Sequence, residues 1–454
     1  MRLKVKAQVA VLALSMALNM NFALLGAPLE LISKADQPRA GAFGDSSDIE
    51  LSADGRWAVF VSSGTGLTTN DSSPLVLDVF LRDLETGSTS MLSRDEEDQP
   101  GNGHSHTPYI SADGRVIVFE TEADNLVPND INEGNDVLLF ERDTAVFTVI
   151  SGTTNGVAEG SSGYPVMTAN GRFVLFESNA SGWSPADGND STDLYLFERE
   201  TGEVKLVTLN LDNTAAATEI LPTSALGALE GSVSGDGRYV AFVSAATNLV
   251  AGGQTNRQPQ VYLRDMELGT NYWLSRTVGS QPSRFVSSPL VSSNGAFVLF
   301  LSEDLDVNST TSRDVFLYRF NIDSGERQRF NDATGRALLV EDFNLSANGQ
   351  YLAYTTSNQV YLHDFATGEH RLVSAAEDGT PGDGFSTEPQ LSDDGRYVVF
   401  TSDATNLSSG AETASFQAYR FDRQTGEVVL LSRAFAGGVA DSDVHFPVVS
   451  GDGA

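Results

Sequence analysis

Two short segments concentrate the oxygen atoms that a hard cation demands. Asp130-Ile131-Asn132-Glu133-Gly134-Asn135-Asp136 and Asp187-Gly188-Asn189-Asp190-Ser191-Thr192-Asp193 set carboxylates and amides at alternating positions around a turn. Calcium takes several oxygen ligands at about 2.3–2.6 Å, which makes Asp130, Asn132, Asp136, Asp187, Asn189 and Asp193 candidate calcium ligands. Neither segment has the glycine position and distant glutamate of an EF-hand loop. Asx side chains also cap turns through their own backbone, and that reading needs no metal. His104-Ser105-His106 offers two imidazoles for one side of a strand end, although such a pair in a polar loop also suits simple exposure to solvent.

Catalytic signatures are otherwise missing. The chain has no G-x-S-x-G, no H-E-x-x-H, no phosphate-binding G-x-x-x-x-G-K-S/T and no dinucleotide fingerprint. Its histidines are His104, His106, His363, His370 and His445, and His363 stands where related segments carry Arg before Asp. Cysteine is absent, which removes disulfides, iron–sulfur sites and thiol nucleophiles. No catalytic residue is therefore expected.

The elements that would position these groups come from a repeat. Ser52-Ala53-Asp54-Gly55-Arg56 recurs in variant form at Asp113-Gly114, Asn170-Gly171, Asp236-Gly237, Asn294-Gly295, Asn348-Gly349, Asp394-Gly395 and Asp452-Gly453. The intervals are 59, 57, 66, 58, 54, 46 and 58 residues, so one structural unit is used again and again. Each unit predicts four short strands. The Asx-Gly pair supplies positive φ for a hairpin between the first two. A third strand such as Asp78-Val79-Phe80-Leu81-Arg82-Asp83 follows a longer loop, and a second glycine turn (Thr86-Gly87, Thr201-Gly202, Thr367-Gly368, Thr425-Gly426) leads to the fourth. Thr144-Ala145 breaks that rule, so the last hairpin of the second unit is expected to be built differently. Runs apolar on both faces, such as Val116-Ile117-Val118-Phe119, suit a sheet sandwiched between neighbours. The expected fold is all-β, a β-propeller of four-stranded blades. Its packing core is predicted at Phe60, Phe119, Phe176, Phe242, Phe300, Tyr354 and Phe400.

These hairpins and the D-V-F-L-R-D-L-x-T-G strand resemble the TolB-like propeller repeat family, over roughly residues 28 to 454. The resemblance implies a fold and not a chemistry, since propellers host binders and enzymes alike. Neither the domain that precedes the propeller in TolB nor a following hydrolase domain of the prolyl-oligopeptidase type is expected within these residues.

The chain ends complete the count. Pro28-Leu29-Glu30-Leu31-Ile32-Ser33 resembles a fourth strand without its blade, and Phe446-Pro447-Val448-Val449-Ser450 a first strand with only its turn. Seven complete blades are expected, plus a partial eighth made from both ends, with a truncated reading frame as the favoured reason. Residues 1–27 carry Arg2, Lys4 and Lys6 ahead of an apolar stretch, the layout of a secretory signal peptide. A retained anchor is the alternative. Residues 28–454 form the propeller, placed in the periplasm or outside the cell, as a monomer without stable membrane insertion.

With 28 Lys and Arg against 61 Asp and Glu, the formal charge is −33, which disfavours nucleic acid and anionic lipid as partners. Strand order puts the tight turns on one side of the disc and the long loops on the other. The excess acid falls mainly in the long loops, where Glu122, Asp124, Asp130, Glu133 and Asp136 mark the expected binding face. Adaptation to high salt would give the same charge. The expected function is a non-catalytic exported scaffold that binds a protein or a glycan through that face. Two alternatives stand beside it: an extracytoplasmic polysaccharide lyase or hydrolase with a metal at the channel mouth, and the N-terminal module of a longer surface protein.

Overall fold

A computed structural model describes residues 46–69, 76–126, 132, 134–153, 156–157, 160–180, 184, 186–188, 191–212, 214, 231–253, 257–277, 286–303, 315–332, 335, 338–408, 415–432 and 445–453. Seven antiparallel sheets of four consecutive strands span residues 46–91, 105–149, 162–206, 231–273, 286–329, 342–372 and 386–430. They are blades 1 to 7 of a β-propeller. The first strands of neighbouring blades lie against one another and so stand nearest the axis.

The S-x-D-G-R motif explains itself atom by atom in the second blade. Ser111 Oγ accepts the N–H of Val116 at 2.9 Å and donates to Asp113 Oδ1 at 2.7 Å. Asp113 Oδ1 accepts the N–H of Arg115 at 3.0 Å, and the Gly114 N–H closes the turn onto the Ser111 carbonyl at 2.8 Å. Blades 1, 4 and 7 repeat the Ser–Asp contact, blades 5 and 6 make it from Ser to Asn, and blade 3 makes it from Thr168 to Asn170. The Arg of the motif then clamps the acid that ends the third strand. Arg56 Nη2 is 2.8 Å from Asp83 Oδ2, with 2.9 Å for both Arg238–Asp265 and Arg396–Asp422. Against the opposing pull of burial, that guanidinium and the backbone N–H groups of Glu85 and Thr86 hold the Asp83 carboxyl down to about 2.

Neighbouring turns are hydrogen-bonded into a ring. Ala53 donates its N–H to Ala112 O at 2.8 Å, Ala112 to Ala169 O at 2.6 Å, Gly235 to Ser293 O at 2.8 Å and Ala347 to Asp393 O at 3.1 Å. Where Asx is asparagine the side-chain amide bridges the remaining steps, Asn170 to Gly235 O at 3.0 Å and Asn294 to Asn348 O at 2.8 Å. The last turn completes the circle. Asp393 donates to Gly451 O at 2.9 Å, and Asp452 donates to Ala53 O at 3.0 Å. Ser450–Gly453 thus occupies an eighth place between blade 7 and blade 1. Residues 445–450 form no ladder among the described residues, and Pro28 to Ser33, expected beside them, lies outside the described residues, as does the signal region.

Packing follows from strands apolar on both faces. The second strand of blade 2, Val116–Thr121, is buried at every position. Val59, Val61 and Leu81 of blade 1 meet Ile117, Phe119 and Phe140 of blade 2, and the pattern recurs between later blades. All seven predicted core aromatics are at most 2% exposed. Within blades the second-strand ring stacks on the third-strand ring, as in Phe60–Phe80 at 5.6 Å and Phe400–Tyr419 at 5.6 Å.

One expectation is corrected. The last hairpin of blade 2 is built like the others. Glu141 pairs with Val146 across the same five-residue step that joins Glu198 to Glu203. Ala145 adopts φ 54° where Gly202 has φ 70°, so alanine accepts the left-handed conformation and bears its steric strain.

Candidate binding face and channel mouth

Acidic residues fall into two populations. On the tight-turn side Asp83, Glu198, Asp265 and Asp422 are paired with the motif arginines, and the neighbouring Glu85, Glu200 and Glu267 add second contacts to Arg56, Arg172 and Arg238. On the long-loop side Glu96, Glu97, Glu122, Asp124, Glu377, Asp378 and Asp383 are exposed.

Those loops are built, not frayed. Asn125 accepts the Asn102 N–H at 2.9 Å and donates to Pro100 O at 3.1 Å, while Asp124 donates its N–H to Asn102 Oδ1 at 3.1 Å. Blade 7 repeats the design. Asn406 accepts the Asp383 N–H at 3.0 Å and donates to Pro381 O at 3.0 Å. A loop between blades is thereby stitched to the loop between second and third strands, and the carboxylates around it are held on a fixed surface.

The candidate cation loops scatter. Asp130, Glu133 and Asn189 lie outside the described residues. Asn132 Oδ1 accepts the Gly134 N–H at 2.8 Å, a turn cap. Asp136 is 1% exposed and accepts Ser151 Oγ at 2.8 Å, so it adds nothing to the solvent-facing charge. Asp193 is buried in the same way and accepts Thr208 Oγ1. The clasp recurs at Asp78–Ser93, Gln260–Ser275, Gln359–Ser374 and Gln417–Ser432, which gives these positions a blade-building role that sequence reasoning missed. The signal was present: Asp or Gln opens the third strand and Ser or Thr follows fifteen residues later. Asp187 accepts the phenol of Tyr195, which burial and that carboxylate push up. His104 Nδ1 accepts the Leu77 N–H at 3.0 Å, whereas His106 faces Glu120 and Glu122, so the two imidazoles part. Among the described residues no three His, Asp or Glu side chains converge as metal ligands.

What sequence reasoning did not see lies at the channel mouth. Asp48, Thr107, Tyr164, Glu388 and Phe446 each stand four residues before the Ser or Thr of the following turn, and each has φ between 47° and 54°. In blades 1, 2, 3 and 7 the ladder register slips at this position, a bulge that re-aims one side chain. Carboxylates from the preceding blade cap two of the bulges. Glu120 Oε2 accepts the Tyr164 N–H at 2.9 Å, and Glu388 accepts that of Phe446. A Cβ at Gly163 would lie 2.7 Å from Glu120 Oε1, so a larger residue there would displace that carboxylate. Burial together with Glu50 and Asp48 pushes the Tyr109 phenol up to about 12, and burial together with Glu388 raises the Asp342 carboxyl.

No protein-family model matches the sequence, and no curated protein matches it. Solved structures do. Prolyl endopeptidases superpose with TM-score 0.51 at 13% identity, over 85% of this chain and 49% of theirs. Dipeptidyl peptidase 4 of Porphyromonas gingivalis gives 0.53 at 14% identity, over 86% and 54%. The likeness is one of fold. This chain spans about half the length of those two proteins. A protein described as a putative TolB from Agrobacterium tumefaciens superposes with TM-score 0.34, at 13% identity over 65% of this chain and 87% of that one.

Proposed function

We propose that this chain is a non-catalytic propeller scaffold, exported from the cytoplasm, that binds a basic or polyhydroxylated partner, a protein or a glycan, through its long-loop face. The supporting observation is the division of the acids. On the tight-turn side Asp83, Glu198, Asp265 and Asp422 are paired with motif arginines, while Glu96, Glu97, Glu122, Asp124 and Glu377 on the opposite side meet solvent. A rigid surface with uncompensated charge steers and selects an oppositely charged partner. Export is supported by the basic and then apolar layout of residues 1–27. Among the described residues no helix is long and apolar enough to cross a membrane.

The test combines Glu122→Gln, Asp124→Asn, Glu377→Gln and Asp378→Asn in the full chain. Asp136 is left intact because it is a buried blade residue. Capture of partners from envelope extract and medium is then compared with the parent at low salt and near 1 M, where the screening length falls to about 3 Å. The proposal expects weaker capture by the variant and by the parent at high salt. Equal capture with the same salt response would make the acidic face a solubility feature only.

A further inference from the structure

We propose that His363 and His370, paired across the third and fourth strands of blade 6, form a binding site for one divalent cation of the imidazole-seeking kind, copper(II) above nickel(II) or zinc(II). The site lies toward the tight-turn end of the blade, apart from the long-loop face, so it neither needs nor tests the scaffold reading above.

The repeat supplies the first observation. One position near the end of the third strand faces a fixed partner on the fourth strand in every blade. That pair is Arg82–Thr89 in blade 1, Phe140–Phe147 in blade 2, Arg264–Asn271 in blade 4 and Phe421–Val428 in blade 7. Blade 6 alone has histidine there, and it has histidine at both places. The chain holds five histidines, and two of them meet at this one pair. Blade building does not ask for them, because apolar pairs close the same space in blades 2 and 7.

The geometry is that of a chelating pair. The ring centres stand 4.2 Å apart, with 41° between the planes. An ion held by imidazole sits about 2.0–2.1 Å from each nitrogen, so rings at this separation can share one ion. His363 is 7% exposed, and its Nδ1 has no hydrogen-bond partner. A buried ring nitrogen without a partner is uncommon in a folded protein and calls for a reason, which a ligating role provides. His370 is partly exposed, which gives an ion its path from solvent. Its Nδ1 lies 2.9 Å from Tyr354 Oη, the kind of outer hydrogen bond that orients a ligating ring and leaves Nε2 for the metal.

The surroundings select the ion. Burial keeps both imidazoles neutral near neutral pH, the form that ligates. Asp332 lies close enough to His370 to favour positive charge there. Arg319, held over the rings of Phe297 and Phe365 at 3.4 and 4.0 Å, opposes it at His363. Two nitrogen ligands, with water in the remaining positions, suit copper(II) best, since it heads the affinity order of the divalent first-row metals. Calcium and magnesium take oxygen ligands and do not fit the pair.

Copper(II) is titrated near neutral pH into the chelator-treated full chain and followed by calorimetry, melting temperature and electron paramagnetic resonance. One bound equivalent, a raised melting temperature that EDTA reverses, and hyperfine structure from two nitrogens are expected. His370→Gln should weaken binding by about tenfold or more and remove one nitrogen from the spectrum. His363→Phe with His370→Phe installs the ring pair that blade 2 carries at these positions, so it should fold and lose the equivalent outright. His104→Asn with His106→Asn should bind like the parent. The proposal is overturned if the parent takes up no copper, or if the double phenylalanine variant binds it as tightly as the parent does. Loss of binding in the His104 and His106 variant alone would also overturn it, by placing the ion at that strand end. Should the double variant fold poorly, His370→Gln decides, because a two-nitrogen spectrum that survives there sinks the pair.

Discussion

Ala145 shows how much backbone this fold dictates to a single side chain. It sits exposed in a left-handed turn that other blades give to glycine. The left-handed region costs a Cβ-bearing residue about 1–2 kcal/mol, so Ala145→Gly should stabilise the protein by about 1 kcal/mol in urea unfolding. A loss of stability would mean that the alanine makes contacts that offset the strain. Core rings bear the opposite sign. Phe400 is 0% exposed and stacks on Tyr419 at 5.6 Å. Phe400→Ala should cost about 3–5 kcal/mol, read from the denaturation midpoint.

The third and fourth strands of blade 6, Gln359–Asp364 and Glu369–Leu372, carry a paired element with its own pH response. His363 and His370 face each other across the ladder, 4.2 Å between ring centres, under Phe330 and Phe365. Burial, then the neighbouring His370 and the charge of Arg319, lower His363 to about 4, against weaker support for its charge from the Glu369 backbone and Asp364. Burial lowers His370 as well, opposed by Asp332. The unfolded imidazole takes its proton near pH 6.5. Between that value and about 4 the unfolded state binds the extra proton, so stability falls as pH drops through this window. The drop should approach 3 kcal/mol, at roughly 1.36 kcal/mol per pH unit. His363→Phe should flatten the melting temperature between pH 6.5 and 4.5. An unchanged slope would locate the acid sensitivity elsewhere.

For the whole molecule the decisive contact is the seam. Gly451 lies between blade 7 and blade 1, where a Cβ would stand 2.3 Å from Asp393 Oδ2 and 2.9 Å from Ala53 Cβ. Gly451→Val should therefore force the ring open and lower stability by about 1–3 kcal/mol. Gly188 has open space around it, so Gly188→Val is the control and should leave the melting temperature in place. Equal behaviour of the two variants would show that the ring does not depend on this closure.

The repeat was legible from sequence because hairpin chemistry is local. Ser, Asx, Gly and Arg within five residues satisfy one another, and the apolar run after them can only be buried between neighbours. Blade number, core rings and the sidedness of the long loops followed from that spacing alone. Asp136 and Asp193 misled for the same reason, since their partners Ser151 and Thr208 lie fifteen residues away across a hairpin and a string of loop acids does not display them. The eight-place ring and the left-handed inner positions were decided only by tertiary structure. Closure brings Gly451 and Asp452, from the end of the chain, between Asp393 and Ala53, and in blades 1 and 7 a register slip accompanies the left-handed residue of the inner strand. No spacing within one repeat encodes that meeting, because it depends on the small angle between blades accumulating to a full turn.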